Sequence, residues 1–247
     1  TDDYAEVKAG ESYVDVDCTC ETAGEVGNDY AVGQLEVIVD PVPYVASVKN
    51  ITVSEGGAEE ETDNSFREQV YLAPSSYSVA GPGDAYEYWV KEYNSAGIED
   101  VKIYDPDDCT VDIRILLNEG RLPTETFCTK VLEYLKENPI IPLTDRVYVS
   151  APDVVEYDLK ATYYISRSDI RNMGAIQQSI DQAKDTYILW QKTRIGRDIN
   201  PDALTEFVRA AGGKRIVIES PSFTVIPETS IAMERTVTFS YGGIEDD

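Results

Sequence analysis

The sequence predicts an α+β chain of several modules: an N-terminal β-rich segment, a linking helix and two small α+β domains. Three observations carry that prediction. Short stretches alternate apolar and polar residues as strands do, while others place apolar residues at helical spacing. Glycine and proline punctuate these stretches, at Gly56-Gly57, Gly97, Pro139, Pro142 and Gly212-Gly213. Finally, a hydrophobic fraction of 42% over 247 residues, with 17 Tyr, 5 Phe and 2 Trp, is enough to fill packed cores and excludes wholesale disorder. The expected organisation is a β-rich segment over 1–53, a linker and helix over 54–83, and α+β domains over 84–152 and 153–247.

The elements follow in order. Residues 13–17 (Tyr-Val-Asp-Val-Asp) and 35–39 (Leu-Glu-Val-Ile-Val) read as strands with Gly and Asn turns between them. Pro41 and Pro43 force an extended exit toward Ile51-Thr52-Val53. Gly56-Gly57 makes a bend, and Glu59, Glu60 and Glu61 stand near a helix start, where acids suit the dipole. Phe66, Val70 and Tyr71 form one apolar stripe on that helix. After Gly-Pro-Gly at 81–83, Asp84 is placed to cap a helix whose Tyr86, Trp89, Val90 and Tyr93 share a core-facing side, and Gly97 ends it. Strands over 100–105 and 110–117 flank the turn Asp105-Pro106-Asp107-Asp108. Thr124 caps the next helix, with Phe127, Val131, Leu132 and Leu135 inward, and a strand over 146–149 follows Pro139 and Pro142.

The second α+β stretch begins with a long alternating strand over 155–165, exposed on one face. A long helix over 169–193 places Ile176, Ile180, Ala183, Tyr187 and Trp190 on one side. Pro201 opens a second helix over 202–211 that Gly212-Gly213 ends, and strands over 215–219 and 234–241 complete the unit.

Charge narrows the partners. With 46 acidic against 21 basic residues the net charge is −25. Such a surface repels phosphate backbones and anionic lipid, so neither nucleic acid nor a membrane is expected as a partner. No apolar run approaches the roughly 20 residues that span a bilayer, and no secretory signal opens the chain. The first residue is Thr1 and not Met, which reads as a processed or truncated start. Histidine is absent, which removes Ser-His-Asp and Cys-His catalysis and histidine-bound zinc.

Four cysteines, Cys18, Cys20, Cys109 and Cys128, lack CxxC spacing and read as free thiols, not as a metal or disulfide framework. Asp105–Asp108 lacks the ordered ligand series of a Ca²⁺ loop. The glycines at 81 and 83 lack the Lys-Ser/Thr of a phosphate loop. No two of the 46 acids stand out as a glycosidase pair. No catalytic residue, cofactor or metal is therefore expected.

Three motifs, in order, carry a resemblance. Residues 47–70 (SVKNITVSEGGAEEETDNSFREQV) contain Val48, Asn50, Gly56, Gly57, Glu59, Glu60, Glu61, Thr62, Asp63 and Arg67. Residues 81–92 (GPGDAYEYWVKE) contain Ala85, Tyr86 and Trp89. Residues 138–152 (NPIIPLTDRVYVSAP) contain Pro142, Leu143, Thr144, Asp145, Val147, Val149 and Pro152. A fourth stretch, KTRIGRDINPDAL, contributes Gly196. Together they resemble baseplate J-like proteins of contractile phage tails, including those of Mu-like phages and of defective, tail-like bacteriocin particles. Asn138 stands where that family usually has Arg, and Gln69 where a basic residue is common.

The resemblance implies a non-enzymatic structural role: a baseplate wedge component whose copies, or homologous wedge subunits, form a ring around the central hub. It also implies contacts with a W-like wedge protein and an I-like tail protein. The implied location is the virion tail baseplate, assembled in the bacterial host cytoplasm. Under that reading Gly56, Gly57, Glu59, Glu60, Asp63, Arg67, Tyr86, Trp89, Pro142, Asp145 and Gly196 are the candidate interface residues. The competing readings are a tail-associated receptor-binding module and a cell-wall glycan hydrolase.

Overall fold

The computed structural model describes residues 5–74, 83–107, 109–138, 141–142 and 144–246. Gly81, Pro82, Asp108, Pro139 and Leu143, each singled out above, lie outside the described residues. The chain forms two compact units, residues 1–63 and 64–247.

The first unit departs from the strand pattern. Among its described residues the regular element is a single 3₁₀ turn, Glu25–Gly27, and no residue joins a β ladder. Residues 28–35 and 50–57 do run against each other. The Asp29 N–H donates to the Ser54 carbonyl at 2.8 Å, the Ser54 N–H to Tyr30 at 3.3 Å, and the Gly33 N–H to Asn50 at 2.9 Å. The alternating stretches over 13–17 and 35–39 remain exposed, with Tyr13 at 73% and Val37 at 80%. Alternation records that one face needs cover, but a ladder also needs a neighbouring backbone, and among the described residues these stretches have none.

The second unit is α+β, as expected. Its helices are α1 (Asp63–Leu72), α2 (Gly83–Tyr93), α3 (Glu125–Glu137), α4 (Met173–Lys192) and α5 (Pro201–Ala210). Its strands are β1 (Ile98–Tyr104), β2 (Thr110–Leu117), β3 (Arg146–Ser150), β4 (Asp153–Ser166), β5 (Arg215–Ser220) and β6 (Ser230–Glu245). They form two three-stranded sheets, ordered β1-β2-β3 and β5-β4-β6. Each is mixed: β1–β2 and β4–β5 are antiparallel, β2–β3 and β4–β6 parallel.

Local signals account for most boundaries. The Thr124 hydroxyl accepts from the Phe127 N–H at 3.2 Å, opening α3 where a cap is expected. Asn200 caps α5, accepting from the Asp202 N–H at 3.0 Å, with Pro201 in the first turn. Gly212 ends α5 with φ +97, a conformation that L side chains rarely adopt. Asp84 lies within the first turn of α2 and not before it. The long helix starts later than its pattern suggests, because Arg167–Asn172 winds as 3₁₀ before α4 begins.

The two sheets have separate cores. Tyr86, Val90, Ile113, Ile115, Phe127, Val131 and Leu135 fill the first, between the sheet and α2 and α3. Leu159, Ala161, Tyr163, Ile165, Ile180, Tyr187, Leu204 and Val208 fill the second, against α4 and α5. A third cluster, Leu116, Ile195 and Ile231 with Met233 against it, joins them. The side chain of Asp100 on β1 also accepts the Ile195 N–H at 2.8 Å. Gly120 adds a close approach, since a Cβ there would meet the Lys192 carbonyl oxygen at 2.8 Å.

On α1 the expected apolar stripe faces outward among the described residues: Phe66, Val70 and Tyr71 are 59%, 57% and 81% exposed, and Leu72 alone is buried. Polar contacts hold this helix. The Ser65 hydroxyl donates to the Ser95 carbonyl at 3.1 Å, and Glu68 pairs with Lys91 at 3.0 Å.

The joining cluster has a measurable weight. Leu116→Ala, at a fully buried position, is expected to destabilise the second unit by about 2–5 kcal/mol. Val48→Ala, at a position 44% exposed, is expected to stay within about 0.5 kcal/mol. Chemical denaturation of the two variants checks both.

Candidate functional site

The motif residues fall into separate constellations, each with an intramolecular role. The first closes the end of the first unit. Asn28 and Gly57 exchange a reciprocal pair of hydrogen bonds: the Asn28 amide donates to the Gly57 carbonyl at 2.8 Å, and the Gly57 N–H donates to Asn28 Oδ1 at 2.9 Å. Glu59 Oε1 accepts the Glu25 N–H at 3.2 Å, at the start of the 3₁₀ turn. Gly57 has no room for a side chain, because a Cβ would lie 2.4 Å from the Gly24 carbonyl oxygen. Its neighbour Gly56 has φ 91, so the pair serves two needs, conformation and close approach. Glu60 stays exposed beside them.

Asn50 supports the same closure from the preceding turn. Its amide nitrogen lies within hydrogen-bond distance of the carbonyls of Tyr30, Ala31 and Thr52, and its Oδ1 accepts the Leu35 N–H at 3.0 Å. One amide side chain thus satisfies a turn that no ladder satisfies.

The second constellation brings two motifs together. The Tyr86 hydroxyl on α2 donates to Asp145 Oδ2 at 2.9 Å, and the Thr144 hydroxyl donates to Oδ1 at 3.0 Å. The Asp145 N–H donates to the Pro142 carbonyl at 3.0 Å, so the turn before β3 is tied both to itself and to α2. Trp89, on the same helix, is half-buried against the first core and meets Tyr88 edge-on at 5.4 Å between ring centroids. Val147 and Val149 pack on that core from β3.

The remaining candidates stand apart. Asp63 starts α1, and Arg67 donates within its own helix, to Asn64 Oδ1 at 3.1 Å. Gly196, with φ +74, donates its N–H to Ser230 at 2.7 Å, and a Cβ there would lie 3.1 Å from the Glu228 carbonyl oxygen.

The structure also reveals polar clusters that no motif marks. Lys91 is buried at 6% exposure between Glu68, at 3.0 Å, and Glu87, at 3.1 Å. Burial works to lower its pKa, but the two carboxylates outweigh burial and leave it above the ordinary lysine value. Asp100 is pushed above the usual carboxylate range by burial, against the opposing pull of the Ile195 N–H and of the Arg194 charge. Buried Gln191 donates to the carbonyls of Arg197 and Asp198 and accepts the Asn200 N–H at 3.3 Å. Helical spacing alone places Lys91 and Gln191 without showing that either is enclosed.

None of these clusters brings a nucleophile to a base, and no group of three or more metal-ligating side chains forms among the described residues. Cys18, Cys20 and Cys109 are exposed and Cys128 is buried, and none of the four is in a disulfide among the described residues. What the arrangement does is hold turns and helix ends at fixed positions on the surface.

The Tyr86–Asp145 contact has a pH signature. Burial first, then the hydrogen bond to Asp145 and its negative charge, hold the Tyr86 phenol above its ordinary value of 10.0. Its stabilising contribution is therefore complete below about pH 10 and is lost as pH rises beyond. Tyr187 is pushed up to about 12 by burial and acts in the same direction. Thermal melts are expected to fall above about pH 10. Tyr86→Phe is expected to cost about 1 kcal/mol at neutral pH and to make that fall shallower.

Comparison with known proteins agrees with the motif order. The profile of the Baseplate J-like protein barrel domain matches residues 1–57, and that of the Baseplate J-like central domain matches residues 78–151. Baseplate protein J of Escherichia phage P2 is 26% identical over 167 residues, covering 67% of this chain and 54% of the P2 protein. Phage-like element PBSX protein XkdT of Bacillus subtilis (strain 168) is 28% identical over 124 residues, or 49% of this chain and 34% of that protein. The chain thus spans about half or less of the length of these relatives. The solved baseplate of the anti-feeding prophage (AFP), a 6-fold symmetrised cryo-EM structure, contains a chain similar at TM-score 0.47 and 14% identity, over 84% of this chain and 48% of that one. With one profile covering most of the first unit and the other covering the first α+β sheet and its helices, the chain belongs to the baseplate J-like family.

Proposed function

We propose that this chain is a structural component of the baseplate of a phage or phage-like contractile tail, acting through assembly with other proteins and not through catalysis. The observation that supports this most is the order of the two family matches, barrel domain then central domain, on a chain that is also similar to the phage P2 baseplate protein J. The candidate motif residues suit such a role, because they hold turns in place on surfaces that neighbouring subunits can read.

The finer reading is a wedge position. Copies of this chain, or of it and a homologous subunit, form a ring around the central hub, bordered by a W-like wedge protein and an I-like tail protein. The particle assembles in the bacterial host cytoplasm. In this reading the outward-facing Phe66, Val70 and Tyr71 on α1, with Arg67 and Asp63 beside them, contribute a protomer contact. Residues 167–197 contribute another. Residues 84–152 and 153–247 act as two modules offering separate faces to neighbours.

Immunogold electron microscopy of contractile particles, with antibody raised against this chain, tests the location. Gold at the baseplate end below the sheath is the expected result. Label at fibre tips would favour a receptor-binding module, and a lytic zone in a cell-wall zymogram would favour a glycan hydrolase. Either outcome overturns the wedge reading. The charge of −25 makes a second prediction. Like-charge repulsion opposes self-association, so sedimentation of the isolated chain is expected to show more association at high than at low salt.

A further inference from the structure

β6 is an edge strand with an unusual gap in its defences. It spans Ser230–Glu245 and pairs as a strand with β4 alone, so beyond Ser230, which accepts the Gly196 N–H, its other edge carries no strand among the described residues. Native edge strands are blunted by charge, proline or bulges, because a free row of N–H and C=O groups is a template for another strand. Here the blunting devices are confined to the two ends. The register against β4 shifts between Glu234 and Thr236, leaving Arg235 as an extra residue, and again between Tyr241 and Gly243, leaving Gly242 extra. Between these bulges, residues 236–241 (Thr-Val-Thr-Phe-Ser-Tyr) pair without interruption and hold no charge, proline or glycine.

The two faces of this run differ. Phe239 stacks on Tyr163 at 5.2 Å and packs against the second core, and Tyr241 meets Tyr163 at 5.6 Å on the same face. Val237 shares that face, and both it and Tyr241 reach past the cover of the helices, 42% and 38% exposed. Thr236, Thr238 and Ser240 lie on the opposite, polar face, where the Thr236 hydroxyl donates to Asp158 at 2.6 Å.

We propose that β6 pairs antiparallel with β6 of a second copy of this chain about a two-fold axis at Phe239, joining the two β5-β4-β6 sheets into one continuous sheet. Parity restricts the two-fold to a residue, because opposed residues in an antiparallel pair point to the same face, and Phe239 is the centre that opposes the two half-exposed apolar residues of the run, Val237 and Tyr241. Centring on Phe239 sets Val237 opposite the second copy's Tyr241, and Thr238 opposite its Ser240. The half-exposed apolar pair is then covered and the hydroxyl pair stays on the polar face. Centring between Thr238 and Phe239 would instead oppose Val237 to Ser240, across faces.

Charge favours the same occupant. On a chain of net charge −25, a copy of itself is tolerated only along a strip without acids, and residues 236–241 are such a strip. At its ends, Arg235 and Glu245 remain on the polar face, held by Asp158 and Arg215 respectively. The two-fold sets Arg235 of each copy opposite Gly243 of the other, so that Glu245 of the other copy lies one diagonal step away on the same face, with the opposite sign.

Sedimentation velocity of the full chain at high salt, where the net repulsion is screened, tests this pairing against Thr238→Lys. That substitution lies on the exposed polar face, away from either core, so thermal melting of the variant is expected to match the parent. The parent is expected to dimerise, and Thr238→Lys to raise the dissociation constant about tenfold or more. As a second measurement, a mixture of Thr238→Cys and Ser240→Cys chains is expected to form the mixed disulfide in preference to either homodimer. A parent that stays monomeric at all salt concentrations overturns the proposal. So does a dimer indifferent to Thr238→Lys, or cysteines that do not cross-link in the mixture. The outcome is independent of the baseplate reading, since the pairing is assayed on the isolated chain and the location on particles.

Discussion

The carboxylate of Asp100, carried on β1, accepts the backbone N–H of Ile195 at 2.8 Å, and around that bond the two sheets of the larger unit meet. Leu116, Ile195 and Ile231 form an apolar cluster across the same junction, and Gly120 lets the chain come against Lys192 without a side chain between. A buried carboxylate is costly unless its oxygens are used. This one is used to satisfy a backbone donor in the segment that leaves α4. Remove the acceptor and an N–H is stranded in an apolar seam; remove the seam and the carboxylate returns to water. The union of the two sheets depends on both.

The same economy appears at the smaller sites. Asn28 and Asn50 satisfy backbone groups that no ladder reaches, and Tyr86 ties α2 to the turn before β3 through Asp145. Each uses one polar side chain, at short range, to hold a turn that would otherwise fray. Under the proposed structural role, fixed turns matter more than a cleft. A subunit surface that changes shape adds ordering entropy to every contact it makes. The acidic surface works in the same direction at longer range, opposing association except where charge is locally absent.

Much of the second unit was legible in the chain. The Thr124 cap, Pro201 at the start of α5, the alternation along β4 and the helical stripes of α2 and α3 are local signals, each enforced by backbone geometry within a few residues. The motif pattern of baseplate J-like proteins was legible too, down to Gly57 and Asp145. What the letters did not convey was the work each residue does. Gly57 is read as a flexible bend from its neighbour, yet its constraint is a carbonyl from residue 24. Phe66, Val70 and Tyr71 read as one apolar stripe without saying what covers it, and in the structure it points outward among the described residues.

Periodicity, caps and turn chemistry over short spans were enough to place the fold class and most element boundaries of the second unit, and the motifs over 47–70, 81–92 and 138–152 carried the resemblance to the family. Packing settles which faces are covered, encloses Lys91 and Gln191, and brings Asp100 to residue 195. The alternating stretches over 13–17 and 35–39 run without a ladder among the described residues. The physical reason is the same in each case. Burial and strand pairing are relations between segments far apart in the chain, and a local pattern states only that a face or an edge wants a partner.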